Sequence, residues 1–283
     1  MVKASRWTAA NQESAEACLS QAIRITKGKI MGGYVVTGSA SGIGAAVCER
    51  LVSDGERVVG LDRQDADIVA DLSTESGRRG AVSQILSAFP DGLDGLVCCA
   101  GIGGTSPRVE LIPEVNFFGS VALVEGLADA LAQRHGSVVL VSSNSAPQPS
   151  DDAYIEALIA GDHAAMAARL SAVSGHAAYS GSKQALARWM RHKAPDYARR
   201  GVRLNAVAPG YTRTAMTAET ENHPEYGPAI KEFLASIPLG RAGETKDMAN
   251  AIGFLLSGEA AFVSGSLLYV DGGHDAMFRP DSI

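Results

Sequence analysis

Residues 33–52 read Gly33-Tyr34-Val35-Val36-Thr37-Gly38-Ser39-Ala40-Ser41-Gly42-Ile43-Gly44-Ala45-Ala46-Val47-Cys48-Glu49-Arg50-Leu51-Val52. A short apolar, β-branched run gives way to three closely spaced glycines and then to a helical pattern. The stretch therefore predicts a strand, a tight turn and a helix. Glycine at 38, 42 and 44 allows a sharp turn and close approach of backbone to a ligand. The helix start presents unpaired N–H groups and the positive end of a dipole, a natural seat for a pyrophosphate. Gly38, Ser41, Gly42, Ile43 and Gly44 are the candidate contacts. No Gly-Lys-Ser/Thr ends the loop, which disfavours ATP or GTP hydrolysis.

The same rhythm runs outward from this unit. Strand-like runs occur at Glu56–Asp62, Asp94–Gly101, Gly136–Ser143, Gly201–Gly210 and Ser266–Gly273. Helical patterns lie between them, notably at 43–53, 109–134, 177–200 and 244–256. Strands apolar on both faces and separated by helices predict a parallel sheet covered on both sides. The expected fold class is thus α/β, a doubly wound Rossmann-type sheet in one domain. Residues 31–283 are read as the catalytic domain. Residues 1–30 are polar, end in a basic stretch and precede Met31, which reads as an alternative start. They are expected to be a dispensable appendage.

Composition narrows the function classes. The 283 residues are 46% hydrophobic and 20% charged, with net charge −6. That balance fits a globular protein and offers no basic face for nucleic acid. No apolar run reaches the ~18 residues of a membrane span, and the N-terminus lacks a secretory pattern. The expected location is cytoplasmic. Cys18, Cys48, Cys98 and Cys99 include no CxxC pair and read as free thiols. No metal-ligand spacing appears among the six histidines, so no metal site is expected.

The second strand ends at Asp62, 18 residues beyond Gly44. A carboxylate there can accept bonds from both adenosine ribose hydroxyls and repels a 2′-phosphate, favouring NAD over NADP. Arg63 either softens that preference or is a solvated surface charge. Tyr179 and Lys183 stand four apart, on one face of a predicted helix. A nearby ammonium is expected to lower the phenol pKa and make Tyr179 a general acid/base. Ser143 ends an apolar strand, where it can bond a substrate oxygen. Asn116 lies in an apolar helix and must find partners: it is either structural or relays a proton through water.

These motifs together resemble the short-chain dehydrogenase/reductase family. The resemblance rests on TGxxxGxG at 37–44, YxxxK at 179–183, Ser143, Asn116, Asp71-Leu72, Cys99-Ala100-Gly101, Pro209-Gly210 through Thr214, and the closing Val270–Gly273. It covers about Gly33 to Gly273. It implies nicotinamide-dependent interconversion of an alcohol and a carbonyl. Tyr179 would exchange a proton with the substrate oxygen, and Lys183 would hold the nicotinamide ribose. Ser143 would orient the substrate, and Asn116 would hold a relay water. Asp71 and Leu72 would meet the adenine. Ala100 and Gly101, with Pro209, Gly210, Thr212 and Thr214, would line the rest of the cofactor site.

Departures from the family pattern point to a subgroup. Cys98-Cys99 replace the usual Asn-Asn. Asp62 and Asp71 are only nine apart, too close for an intervening helix. Ser143 and Tyr179 are 36 apart because of an insertion at 144–175, whose Ala-rich middle, about Asp152 to Ala172, is expected to be helical. These features, with the ending Asp271–Pro280, resemble bacterial 3α-hydroxysteroid dehydrogenase/carbonyl reductases, and coniferyl alcohol dehydrogenases at the same places. A hydrophobic alcohol or ketone is expected: a steroid or xenobiotic carbonyl compound, with an aromatic or other small alcohol as alternative. Residues 211–238 are read as a substrate lid, with Met216, Tyr226, Phe233 and Leu234 facing an apolar pocket. Family members usually dimerise through the long helices at 109–134 and 177–200. The insertion is expected to cover that face, leaving a homodimer or homotetramer built on another. A non-catalytic dinucleotide sensor or scaffold is the alternative of another class, disfavoured because all four catalytic positions hold competent residues.

Overall fold

Buried β-branched runs and the glycine turns between them lay down seven strands. The computed structural model describes residues 31–221 and 227–282. The expectations for residues 1–30, Cys18 and Tyr226 lie outside them. Strands β1 (Gly33–Thr37), β2 (Arg57–Asp62), β3 (Ile68–Val69), β4 (Gly95–Cys98), β5 (Ser137–Val141), β6 (Arg203–Pro209) and β7 (Leu267–Val270) form one sheet. Every pair is parallel and the order is β3-β2-β1-β4-β5-β6-β7. The chain reverses direction across the sheet between β1 and β4, the switch point where such sheets open a crevice at their carboxyl ends.

Helices cover both faces. On one lie α1 (Gly42–Ser53) and α11 (Thr245–Leu256), packed through Val47, Leu51, Ile252 and Leu255 against Val36, Val97, Val139 and Val207. The other carries α2 (Glu75–Ala88), the segment 111–133 and α8 (Gly175–Arg199). Arg203 ties the layers at the far end of α11. Its guanidinium donates to the carbonyls of Leu255, Leu256, Ser257 and Ala260 at 2.6–3.1 Å, satisfying the orphan acceptors of a helix end.

Three local expectations change in detail. First, the helix read over 109–134 is interrupted. It consists of α3 (Leu111–Pro113), a π-helical turn at Glu114–Gly119, α4 (Ser120–Gly126) and α5 (Ala128–Gln133). The π turn holds Asn116, and such turns concentrate at functional sites. Second, the insertion is two helices, α6 (Asp152–Ala160) and α7 (His163–Leu170), rather than one. Gly161, at φ 69, ends the first, and the Asp162 carboxylate caps the second by accepting from the Ala165 amide at 2.9 Å. Ile155 and Leu158 are fully buried, each contributing about 1.5–3 kcal/mol. The Tyr154 hydroxyl donates to the Ala178 carbonyl of α8 at 3.2 Å, and the His163 ring stacks on Phe118 at 3.9 Å. The insertion thus packs on both long helical segments. Third, the segment 211–238 contains α9 (Ala215–Glu221) and α10 (Gly227–Ala235). The close spacing of Asp62 and Asp71 does leave out a helix: a bend at 63–67 leads directly into β3. A last short helix, α12 (His274–Phe278), follows β7.

Candidate active site

The glycine loop leaves β1 at the switch point. Gly38 has φ 69, and a Cβ there would stand 2.8 Å from the Ala100 amide nitrogen, because the loop passes directly against the chain leaving β4. Thr37 braces the same junction: its hydroxyl accepts from the Ala100 amide at 3.0 Å. This bond links β1 to the turn after Cys98-Cys99. No side chain caps the start of α1, so its first amides remain open towards the cleft. Asp62 is anchored by the amides of Ala40 and Arg63, at 3.0 and 2.7 Å. Each carboxylate oxygen keeps a further lone pair for a ligand. A turn bounded by glycines, an uncapped helix start and a carboxylate at the adjacent strand end fit a pyrophosphate-linked dinucleotide.

A cleft of about 940 Å³ runs from this loop across the carboxyl edge of the sheet. Gly38, Ser41, Gly42, Ile43 and Gly44 line it at one end with Asp62, Arg63, Asp71 and Leu72. Ala100 and Gly101 form its floor. Pro209, Gly210, Thr212 and Thr214 line the side next to α9. The Asp71 carboxylate is held by the Ser73 hydroxyl at 2.7 Å and amide at 2.9 Å. The Ser73 hydroxyl is the larger of the influences that lower its pKa.

Ser143 and Tyr179 meet on the opposite wall. Ser143 sits just past β5 and lines this wall together with Tyr179 of α8. Burial pushes the Tyr179 pKa up, and the nearby Ser143 hydroxyl opposes it. Lys183 lies one turn along the same helix, but its ammonium is 5.9 Å from the Tyr179 ring centroid and donates to the Val141 carbonyl at 2.8 Å. Burial also brings its own pKa down to about 8. The lysine is engaged at the end of β5, and the phenol responds first to desolvation and then to Ser143.

Lys183 and Asn116 do not line the cleft; they stand behind Gly101. A Cβ on Gly101 would lie 3.2 Å from Asn116 Oδ1 and 3.5 Å from Lys183 Nζ, so a side chain there would press on Asn116. Asn116 is fully buried. Its Oδ1 accepts from the Ile102 amide at 2.7 Å, and its Nδ2 donates to the Ile102 carbonyl and to Ser182 Oγ at 3.0 and 3.2 Å. Cys98 and Cys99 flank this corner with thiols that burial holds protonated, the Cys98 pKa being pushed up to about 12.

Above the cleft, Met216 and Phe233 line the wall as expected, but Leu234 does not. In α10 it is Ile230 and Phe233, three apart on one helical face, that turn inward. Ile230 was not anticipated, nor were Ser145, Ser182 and Thr37. The hydroxyl run Ser142-Ser143-Asn144-Ser145 and the threonine before Gly38 were the visible signals for two of them. Among the described residues, no helix is long and apolar enough to cross a membrane.

Comparison with known proteins agrees with this geometry. A family model described as short chain dehydrogenase matches residues 34–155, and one described as enoyl-(acyl carrier protein) reductase matches 163–275. The chain belongs to the short-chain dehydrogenase/reductase family, oxidoreductases that interconvert alcohols and carbonyls with a nicotinamide dinucleotide. It is 39% identical over 252 residues to the 3-alpha-hydroxysteroid dehydrogenase/carbonyl reductase of Comamonas testosteroni, covering 87% of this chain and 97% of that protein. It is 32% identical to the vibriobactin-specific 2,3-dihydro-2,3-dihydroxybenzoate dehydrogenase of Vibrio cholerae, covering 84% and 94%. The crystal structure of the 3-alpha-hydroxysteroid dehydrogenase from Pseudomonas sp. B-0831 complexed with NADH superposes with a TM-score of 0.85 at 45% identity, covering 89% of this chain and all of that one.

Proposed function

We propose that this protein is an NAD-dependent dehydrogenase/carbonyl reductase of hydroxysteroids or similarly apolar carbonyl compounds, with Tyr179 as general acid/base. The observation that carries the reading is the Ser143–Tyr179 hydroxyl pair on the cleft wall, one helical turn from a buried lysine. The dinucleotide, when bound, supplies or takes up the hydride. In reduction Tyr179 gives its phenolic proton to the carbonyl oxygen; in oxidation it accepts one from the alcohol. Ser143 bonds the same oxygen and fixes its position. Lys183 holds its charge beside Gly101, under the cofactor floor. Asn116 clamps the Gly101–Ile102 turn to Ser182; its bonds favour the structural of the two roles open to it. Met216, Ile230 and Phe233 present an apolar wall, and the lid at 211–238 would exclude water as it closes.

A spectrophotometric screen of NADH formation and consumption tests the reading with 3-hydroxysteroids, 3-ketosteroids, quinones and benzylic alcohols. Preferred turnover of benzylic alcohols would move the assignment to the aromatic-alcohol type. Tight NADH binding with no turnover of any alcohol or ketone would favour a sensor or scaffold.

Asp62 supports NAD over NADP, and the NADH bound to the Pseudomonas relative agrees. Asp62→Ala is expected to weaken NAD and narrow the NAD/NADP ratio of kcat/KM by about 10-fold or more, the scale of one lost charge-assisted hydrogen-bond pair. A wild-type preference for NADP would overturn this assignment.

Residues 1–30 precede both family matches and are proposed to be a separate appendage. A chain starting at Met31 should fold and turn over as the full chain does; an insoluble or inactive truncation would refute that. Free thiols at Cys48, Cys98 and Cys99 favour a reducing, cytoplasmic setting. A homo-oligomer, dimeric or tetrameric, is proposed to form away from the long helices. The insertion occupies those, whereas Phe254, Phe262 and Leu268 near the β7 edge are exposed.

A further inference from the structure

Ser143 has a hydroxyl with one hydrogen to give and two lone pairs to fill. Both lone pairs are filled by one residue: the Ser145 amide donates to Ser143 Oγ at 3.1 Å, and the Ser145 hydroxyl donates to it at 2.9 Å. The hydrogen of Ser143 is thereby left to give into the cleft, whose wall Tyr179 shares. Ser143 also lowers the Tyr179 pKa, the direction expected of a hydroxyl that donates to the phenolate.

We propose that Ser145 is a positioning residue which locks the Ser143 hydroxyl as a donor into the cleft, towards Tyr179 in the free protein and towards the substrate oxygen once substrate is bound. No proton leaves Ser145. It supplies orientation, so that the one hydrogen of Ser143 is already aimed at the oxygen it meets, the phenolate in the free protein and the substrate oxygen in the complex. Without the Ser145 hydroxyl, Ser143 keeps the backbone donor alone and its hydroxyl can rotate. The loop makes the arrangement compact: the Gln148 amide donates to the Ser145 carbonyl at 2.9 Å, and the Ala146 amide to that of Ser143 at 3.1 Å. The turn that begins the insertion therefore also sets the donor direction at the catalytic wall. This inference rests on the acid/base role assigned to Tyr179.

The test compares Ser145→Val with Ser145→Thr, two residues of nearly equal size that differ in the hydroxyl. In uncomplexed protein, ¹³Cζ-tyrosine NMR follows the Tyr179 signal, assigned by its loss in Tyr179→Phe. Ionisation should begin about one pH unit higher in Ser145→Val than in wild type or Ser145→Thr, a factor of about ten in phenolate at any given pH. In turnover, Ser145→Val should lower kcat for alcohol oxidation about tenfold and move its alkaline rise upward by the same unit, with KM little changed. Ser145→Thr should restore both. An unmoved Tyr179 titration in a folded Ser145→Val protein would overturn the proposal, as would a change confined to KM, which would mark Ser145 as a simple substrate contact. If wild type turned over no alcohol or ketone, the functional reading would fail while the titration still decided the role of Ser145.

Discussion

Tyr179→Phe is expected to lower kcat in both directions by about 10²–10⁴-fold, the usual worth of a positioned acid/base, while NADH binding survives. Phenylalanine keeps the ring and its packing in α8 and removes only the phenol oxygen. Fluorescence titration with NADH and initial rates on the best substrate of the screen separate the two effects. The pH dependence follows from the direction of the shift. Burial holds the phenol pKa above its ordinary value of about 10, so at neutral pH the group is protonated and ready to donate. Carbonyl reduction should therefore be level through neutral pH and fall in the alkaline range as the phenol ionises. Alcohol oxidation needs the phenolate and should climb over the same range. Loss of the alkaline rise in Tyr179→Phe would tie it to this residue. A variant retaining more than a tenth of wild-type kcat would remove Tyr179 from the acid/base role.

Gly44→Ala is expected to damage the cofactor half severely with a single methyl group. Helix propensity alone argues the other way, since alanine is preferred over glycine in a helix by about 1 kcal/mol. Sterics decide against it. The new Cβ would stand 2.1 Å from the Gly38 carbonyl oxygen, 2.7 Å from its carbon and 3.1 Å from the Thr37 oxygen, all backbone atoms that cannot rotate aside. To relieve the clash, α1 must lift away from the end of β1, and the amides that face the cleft move with it. Overpacking of this kind costs about 1–3 kcal/mol or more. If the whole strain falls on the bound geometry, about 3 kcal/mol is roughly 100-fold in NADH affinity. Gly80→Ala is the control: it also lies in a helix, but nothing lies within 4 Å of its added Cβ. It should leave binding unchanged and the melting temperature equal or higher. NADH affinity within twofold of wild type in Gly44→Ala would mean that the loop does not seat the dinucleotide.

The local units of this protein were legible because each depends on neighbours close in sequence. The run Tyr34–Thr37, the glycines at 38, 42 and 44, and the helical spacing after them specify a strand, turn and helix without help from elsewhere. Tyr179 and Lys183 share a helix face at any tertiary arrangement, since four residues make about one turn. The short link from Asp62 to Asp71 excluded a helix by length alone, and Asp62 stood where the strand had to end.

The contacts that turn those units into a site join residues far apart in sequence, and periodicity carries no information about them. Asn116 closes on Ser182, 66 positions away, and Lys183 on the Val141 carbonyl, 42 positions away. The π turn that carries Asn116 and the break of the insertion at Gly161 look, in sequence, like continuous helix. The electrostatics of Tyr179 depend on closure as well: spacing placed an ammonium nearby, and burial raises the phenol pKa. Side-chain periodicity depends on near neighbours and so determined the fold and the identity of the reacting group. Desolvation and the pairing of buried polar atoms exist only once the chain has closed, and they decided which partner each reacting group obeys.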